Sequence, residues 1–234
     1  GDCRVALNAL ESAAALAQAG QEKTMGIAQL QEALQKKPLQ YDKAGEEHYN
    51  VISAFIKSMR GSDADAALYW LMRMIEAGED PLFIARRMVI FAAEDIGNAD
   101  PRALQVAVAA KDAVHFVGLP EGRIPLAQAV TYLATAPKSN ASYQAMLAAA
   151  ADVESHGALA VPLHLRNATT GLMKNLGYGK DYKYAHNYED HVVDQQHLPQ
   201  ELIGRHYYTP TDAGYEKQIQ ERLKFWEEVK KGKP

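Results

Sequence analysis

Apolar residues recur every three to four positions over most of the first 153 residues, the spacing of helices with one buried face, and none of that stretch reads as a strand. Asp2 is a suitable N-cap for a first helix in which Leu7, Leu10, Ala14 and Ala17 share a face before Gly20 stops it. A second helix is predicted over 26–35, closed by Lys36-Lys37-Pro38, and 38–45 reads as a linker carrying a domain boundary. Tyr49, Ile52, Ile56 and Met59 then define a face that Gly61 ends. Ser62 or Asp63 caps a further helix bearing Ala67, Trp70, Leu71 and Met74, so the two form a hairpin. Gly78 closes it, and Pro81 sits in the first turn of a helix with Ile84, Met88 and Phe91. Asp100-Pro101 opens another, with Leu104, Ala107 and Val108, ending near Gly118-Leu119-Pro120. Two more follow over 123–136 and 139–153, on either side of Pro137. From 161 to 210 glycine, proline and tyrosine weaken the pattern, and only 169–176 suggests a short helix. A last helix over 212–230 aligns Tyr215, Ile219, Leu223 and Trp226 opposite a charged face.

The expected fold class is therefore all-α: a short helical unit at 1–42, then a multi-helix domain at 43–234 with a long irregular segment before its last helix. No repeat of fixed period and no low-complexity block interrupts it. With 234 residues and 47% hydrophobic content the chain can bury a substantial core. The formal net charge is −4, and from Lys138 onward 12 Lys/Arg stand against 12 Asp/Glu, which argues against a dedicated nucleic-acid-coating surface. One cysteine, Cys3, excludes an internal disulfide framework and fits a reducing cytosol. No run approaches the ~20 apolar residues of a membrane-spanning helix. Gly1-Asp2-Cys3-Arg4 enters a helical pattern with no initiator Met or targeting segment, and reads as a cut inside a longer protein.

Few residues suggest chemistry. Arg4 places a cation in the first turn of a helix, against the macrodipole, so either Asp2 or an approaching phosphate is its expected partner. Arg86, Arg87 and Arg166 are candidate contacts to phosphates or partner carboxylates, and equally ordinary ion-paired surface residues. Lys174, Tyr178, Lys180, Tyr182, Lys183 and Tyr184 interleave cations with rings, a composition that can stack bases of a single strand; Asp181 dilutes it, and tyrosines anchoring a loop explain it as well. His186, His191, His197 and His206 share one irregular region but lack metal-site spacing, so no metal is expected. G-x-S-x-G is absent. Glu94-Asp95 occupy adjacent helix positions that face different ways, and a structural hydrogen bond suits Asp95 better than acid–base work. Tyr49, Phe55 and Trp70 exceed what one hairpin hides, so they pack against later helices or between subunits.

The run Gly1-Asp2-Cys3-Arg4-Val5-Ala6-Leu7-Asn8-Ala9-Leu10-Glu11 resembles the stretch carrying the sensor 2 arginine in the lid of clamp-loader-type AAA+ ATPases, with Arg4 at the arginine position. Further blocks are similar to the RarA/MgsA family: Ile52-Ser53-Ala54-Phe55-Ile56-Lys57-Ser58-Met59-Arg60-Gly61-Ser62-Asp63, Ala93-Glu94-Asp95-Ile96-Gly97-Asn98-Ala99-Asp100-Pro101, Ala136-Pro137-Lys138-Ser139-Asn140-Ala141 and Tyr207-Tyr208-Thr209-Pro210-Thr211. So are Val161-Pro162-Leu163-His164-Leu165-Arg166-Asn167-Ala168 and the run from Leu172 to His186, so the likeness covers nearly the whole chain.

The resemblance implies that 1–42 is the end of a lid and 43–234 a clamp-loader-collar-like domain that assembles a homotetramer. It implies a cytoplasmic, nucleoid-associated, DNA-dependent ATPase that uses ATP and Mg in its full-length form. Its work would be at stalled or damaged replication forks, in replication, recombination and repair, alongside single-stranded-DNA-binding protein. No G-x-x-x-x-G-K-[ST] loop occurs in these residues, so this stretch alone is expected neither to hydrolyse ATP nor to hold a cofactor. Arg4 would sense nucleotide only beside an ATPase core. The competing expectation is a module that itself binds DNA or single-strand-binding protein through Arg86, Arg87, Arg166, Lys174, Lys180 and Lys183. A metal-dependent hydrolase built on the late histidines is a third.

Overall fold

The computed structural model describes residues 2–20, 24–34 and 46–232, and among these every regular element is helical. The 38–45 linker and the boundary placed at 42/43 lie outside the described residues. Helix α1 (Asp2–Ala19) packs on α2 (Ile27–Leu34) through Ala13 and Ala17, whose small side chains let the helices approach closely. Of the face expected to be buried, Ala17 is buried while Leu7, Leu10 and Ala14 are exposed, and Ala13 takes the inward position beside Ala17, so this face is rotated.

The main body is a bundle of α3 (Glu46–Arg60), α4 (Ala64–Glu76), α5 (Pro81–Phe91), α6 (Arg102–Val117) and α7 (Arg123–Thr135). The α3–α4 hairpin forms as its sequence predicts: Gly61 ends α3, and the Asp63 carboxylate accepts from Ala66 N at 2.8 Å to cap α4. Asp80 caps α5 in the same manner, accepting from Leu82 N at 3.0 Å, with Pro81 in the first turn where its missing N–H costs nothing. α7 crosses α4, α6 and α3, and one continuous core results from Phe55, Met59, Leu71, Met74, Ile84, Met88, Phe91, Leu126 and Leu133. Each such side chain contributes about 1.5–3 kcal/mol by leaving water.

Two further predicted faces are rotated relative to the structure. In α3 the buried stripe is Val51, Ile52, Phe55 and Met59, while Tyr49 remains 69% exposed. In α6 the alanines Ala103, Ala107 and Ala110 turn inward with Val114, and Leu104 and Val108 face out. A step of one residue turns a helix face by about 100°, and small residues win the inward positions where α5 and α7 approach from two sides. Phe55 is thus buried within its own chain, and Trp70 is half-buried with the Arg73 guanidinium 5.3 Å from its ring centroid.

After α5 the backbone widens into one π turn (Ala92–Ile96) and tightens into a 3-10 turn (Gly97–Ala99) before α6. α8 (Ala141–His156) rests against these two turns, not on the core. The segment that follows holds only short turns and α9 (Gly171–Asn175), as its glycines and prolines predict, and α10 (Glu216–Lys230) ends the described chain. No helix among the described residues is long and apolar enough to cross a membrane.

Candidate functional site

Three stretches of the chain, 95–99, 139–142 and 208–216, meet where the π turn, the start of α8 and the start of α10 come together. Glu216, the first residue of α10, has its side chain fully buried there. Its Oε2 accepts from the Ser139 hydroxyl at 2.7 Å and from both the backbone N and the hydroxyl of Thr211 at 2.8 Å. Its Oε1 accepts from the Tyr208 hydroxyl at 2.9 Å. Burial opposes the charge on Glu216, but these donors outweigh it and hold the carboxyl below its ordinary pKa. Burial, aided by the Glu216 charge and opposed by a hydrogen bond from Asn98, moves the Tyr208 phenol up.

Asn98 donates at 3.2 Å to Tyr208 and to Ser142, which ties the 3-10 turn into the same network. Backbone bonds complete the junction: Ser139 N donates to Asp95 O at 2.8 Å and Tyr215 N to Ala99 O at 2.8 Å. Gly214 is required for that second contact, since a Cβ there would lie 2.2 Å from Ala99 O.

The outer layer is charged. Arg60 grips Asp95 with Nε at 2.5 Å and Nη2 at 3.1 Å, joining the end of α3 to the π turn. Lys138 donates to Ala136 O at 2.5 Å and Ala134 O at 2.8 Å, closing the C-terminal carbonyls of α7. Burial pushes its ammonium pKa down against the attraction of Asp95. Asp100 accepts from the Tyr132 hydroxyl and from Arg102 N at 3.1 Å; these bonds overcome burial and keep its pKa low. Asp152 of α8 accepts from Tyr207 at 2.9 Å and Arg205 at 2.8 Å, and the Tyr207 bond leads in lowering its pKa.

The carboxylates of Asp95, Asp100, Asp152 and Glu216 are each engaged by donors, so the arrangement locks elements together. Asp95 has the structural hydrogen bonds expected of it. Asn98, Asp100, Ser139, Tyr208 and Thr211 all stand in the blocks that carry the family likeness, whereas Glu216 and Asp152 were missed. Their signal is hidden in the sequence, for each is one acidic residue among many on a polar-looking helix.

The cationic candidates lie apart from the junction and from one another. Arg4 falls in the first turn of α1, with its side chain outside the described residues. Arg86 is exposed on α5, 3.5 Å from Asp80, and its neighbour Arg87 buries an Nε with no hydrogen-bond partner. Arg166 donates to Val161 O at 2.6 Å and to the Tyr178 hydroxyl at 3.2 Å while stacking on that ring. Lys174, Lys180 and Lys183 are exposed along the segment after α8. His186 and His191 bring their rings to 4.9 Å, and no group of three or more His, Cys, Asp or Glu among the described residues is placed to hold a metal ion.

Comparison with known proteins places these features in a family. The family described as MgsA AAA+ ATPase C terminal matches residues 61–227, and the AAA C-terminal domain matches residues 1–60. A replication-associated recombination protein A of Coxiella burnetii is 49% identical over 98% of the chain and 52% of its own length. A protein of the same name from Escherichia coli K12 is 46% identical over 100% of the chain and 53% of its own length. An ATPase WRNIP1 of Dictyostelium discoideum is 44% identical over 86% of the chain and 25% of its own length. The chain spans about half the length of the bacterial relatives it matches.

Proposed function

Since the chain belongs to the MgsA AAA+ ATPase C-terminal family, we propose that it is the lid-and-collar part of a replication-associated recombination ATPase and that its own task is to join subunits. In this reading 1–42 is the end of the lid, with Arg4 as its nucleotide-sensing residue, and 43–234 is the oligomerisation domain of a homotetramer. The ATP- and Mg-dependent, DNA-stimulated activity belongs to the full-length protein, acting at stalled forks with single-stranded-DNA-binding protein in the bacterial cytoplasm and nucleoid. The relatives' names and their length support that division of labour.

The observation that carries assembly is the apolar edge of α6 and α7. Val106, Ala109 and Ala113 recur at helical spacing along α6 and border a shallow groove of about 240 Å³ with Pro125 and Ala129 of α7. In the last turn of α6 Phe116 is 90% exposed, and in the first turn of α7 Ile124 is 70% exposed. An apolar groove together with large exposed apolar side chains on the same two helices suits a protein interface. The occupant proposed is a second copy of the chain, because most soluble oligomers are closed, symmetric assemblies of identical chains.

Light scattering tests this. The chain should run at about four times its 25.7 kDa mass, and Ile124→Asp or Phe116→Asp should reduce that mass while leaving thermal stability nearly unchanged. A tetramer indifferent to both substitutions would move the contact elsewhere, and a monomeric parent would remove assembly from this domain.

A further inference from the structure

The segment after α8 and the exposed side of α10 enclose a cleft of about 370 Å³ that the assembly role does not use, and it gathers Tyr182 and Lys183 of the ring-and-cation run with residues of α10. Tyr182, His191, His197 and Trp226 offer rings to it, and Val192 and Val193 add apolar lining. Lys183 and Lys230 also line it, against a single carboxylate, Asp190. Lys183 is shared with a neighbouring cleft of about 430 Å³ where Lys180 and Lys183 stand against Asp181 and Asp194, so the excess of cations lies in the first cleft. Beside them Tyr184, His186 and His191 form a series, with successive ring centroids 5.0 and 4.9 Å apart. Tyr182, Tyr184 and Trp226 are all exposed.

The loop is held in an uncommon shape. Asp181, Asp190 and His191 have φ values of 61°, 55° and 55°, a left-handed conformation that L-residues adopt at a cost and that clusters at functional positions. The Lys183 backbone N donates to Gln195 Oε1 at 2.8 Å and its ammonium to Asp194 O at 3.1 Å, so the side chain is positioned while its charge stays unneutralised by a carboxylate contact.

We propose that these joined clefts hold single-stranded nucleic acid, with a base against Trp226 and Tyr182 and the adjoining phosphates near Lys183 and Lys230. The proposal rests on the DNA-linked part of the reading above and adds a place for the strand. Ring faces accept any base, and cations beside them neutralise the backbone, which is the chemistry of sequence-tolerant strand binding. An acidic peptide would use the lysines but leave most of the ring faces without a matching group.

The test is fluorescence anisotropy with a labelled oligo(dT) of about 16 nucleotides, the full chain and matched variants. Tyr182→Ala with Trp226→Ala should weaken binding about tenfold or more, whereas Trp226→Phe, which keeps a ring, should change it little. Lys183→Gln with Lys230→Gln should lower the salt slope by roughly 1 to 1.5, the share of two phosphates on a single strand. Solution mass measured on the same samples should stay that of the parent, which separates strand binding from assembly. Binding unchanged by the ring substitutions would overturn the site. So would displacement by polyglutamate as efficient as by unlabelled oligo(dT), which would assign the clefts to acidic chains. A parent chain that binds no oligo(dT) would also overturn it and leave the assembly reading standing.

Discussion

Glu216 shows how much one side chain can decide. A buried charge is costly unless its lone pairs are satisfied, and Ser139, Thr211 and Tyr208 together supply four donors. Glu216→Gln would set an amide N–H₂ against groups that already donate, and should destabilise the fold by about 3 kcal/mol, read from chemical denaturation at neutral pH. The sign with pH follows from the lowered folded-state pKa. The stabilisation from Glu216 is complete above its ordinary value of 4.5, declines as pH falls below that and is gone once the folded pKa is passed. The parent should therefore lose more stability than Glu216→Gln between about pH 5 and the acid limb. Equal slopes in the two proteins would show that the carboxylate is not charged in the fold.

Among the elements, α10 differs most from its prediction. Tyr215, Ile219, Leu223 and Trp226 do lie along one side, yet they are half-buried or exposed, and the deeply placed residue is the charged one at the helix start. The helix is thus held by its first turn and by the preceding segment. Gly214 makes that possible, with φ +54° and no room for a Cβ, which would lie 2.2 Å from Ala99 O and 2.8 Å from Pro137 Cγ. Gly214→Ala should cost about 2–4 kcal/mol through the left-handed backbone and the clash together. Limited proteolysis should then cut the 205–216 segment faster than in the parent while the α3–α7 bundle resists. The π turn is the second such element: its one wide turn brings Asp95 to Arg60 and its backbone carbonyl to Ser139, a register that a regular continuation of α5 would not keep.

At the scale of the molecule, stability is unevenly distributed. Fully buried side chains are concentrated in α3 to α7, while α8, the long irregular segment and α10 contribute few buried apolar groups and join the bundle through hydrogen-bonded carboxylates. Native-state hydrogen exchange should show the amides of α4, α5 and α7 opening only with global unfolding, and those of 157–200 exchanging through much cheaper local openings. Uniform protection across the two regions would contradict this division. Such an arrangement suits a rigid block carrying an adaptable outer segment, with assembly proposed on the α6–α7 edge of the block and strand binding on the segment.

Local sequence signals determined the all-α class, the α3–α4 hairpin with its cap at Ser62 or Asp63, Pro81 in the first turn of α5 and the irregular character of the stretch after α8, because caps, breakers and helical period are local properties of the chain. The ordered blocks of residues were enough to indicate the family. Which face of α3 and α6 turns inward, and the burial of Glu216 and Asp152, were decided only in the tertiary structure. The energy of a buried carboxylate depends in part on donors from distant residues, as Arg205 is 53 positions from Asp152 and Ser139 77 from Glu216, and the nearer donors Tyr208 and Thr211 reach Glu216 only because the irregular segment folds back on α10. No local pattern records such a meeting, since the same acidic residue on an exposed helix face would look identical in sequence.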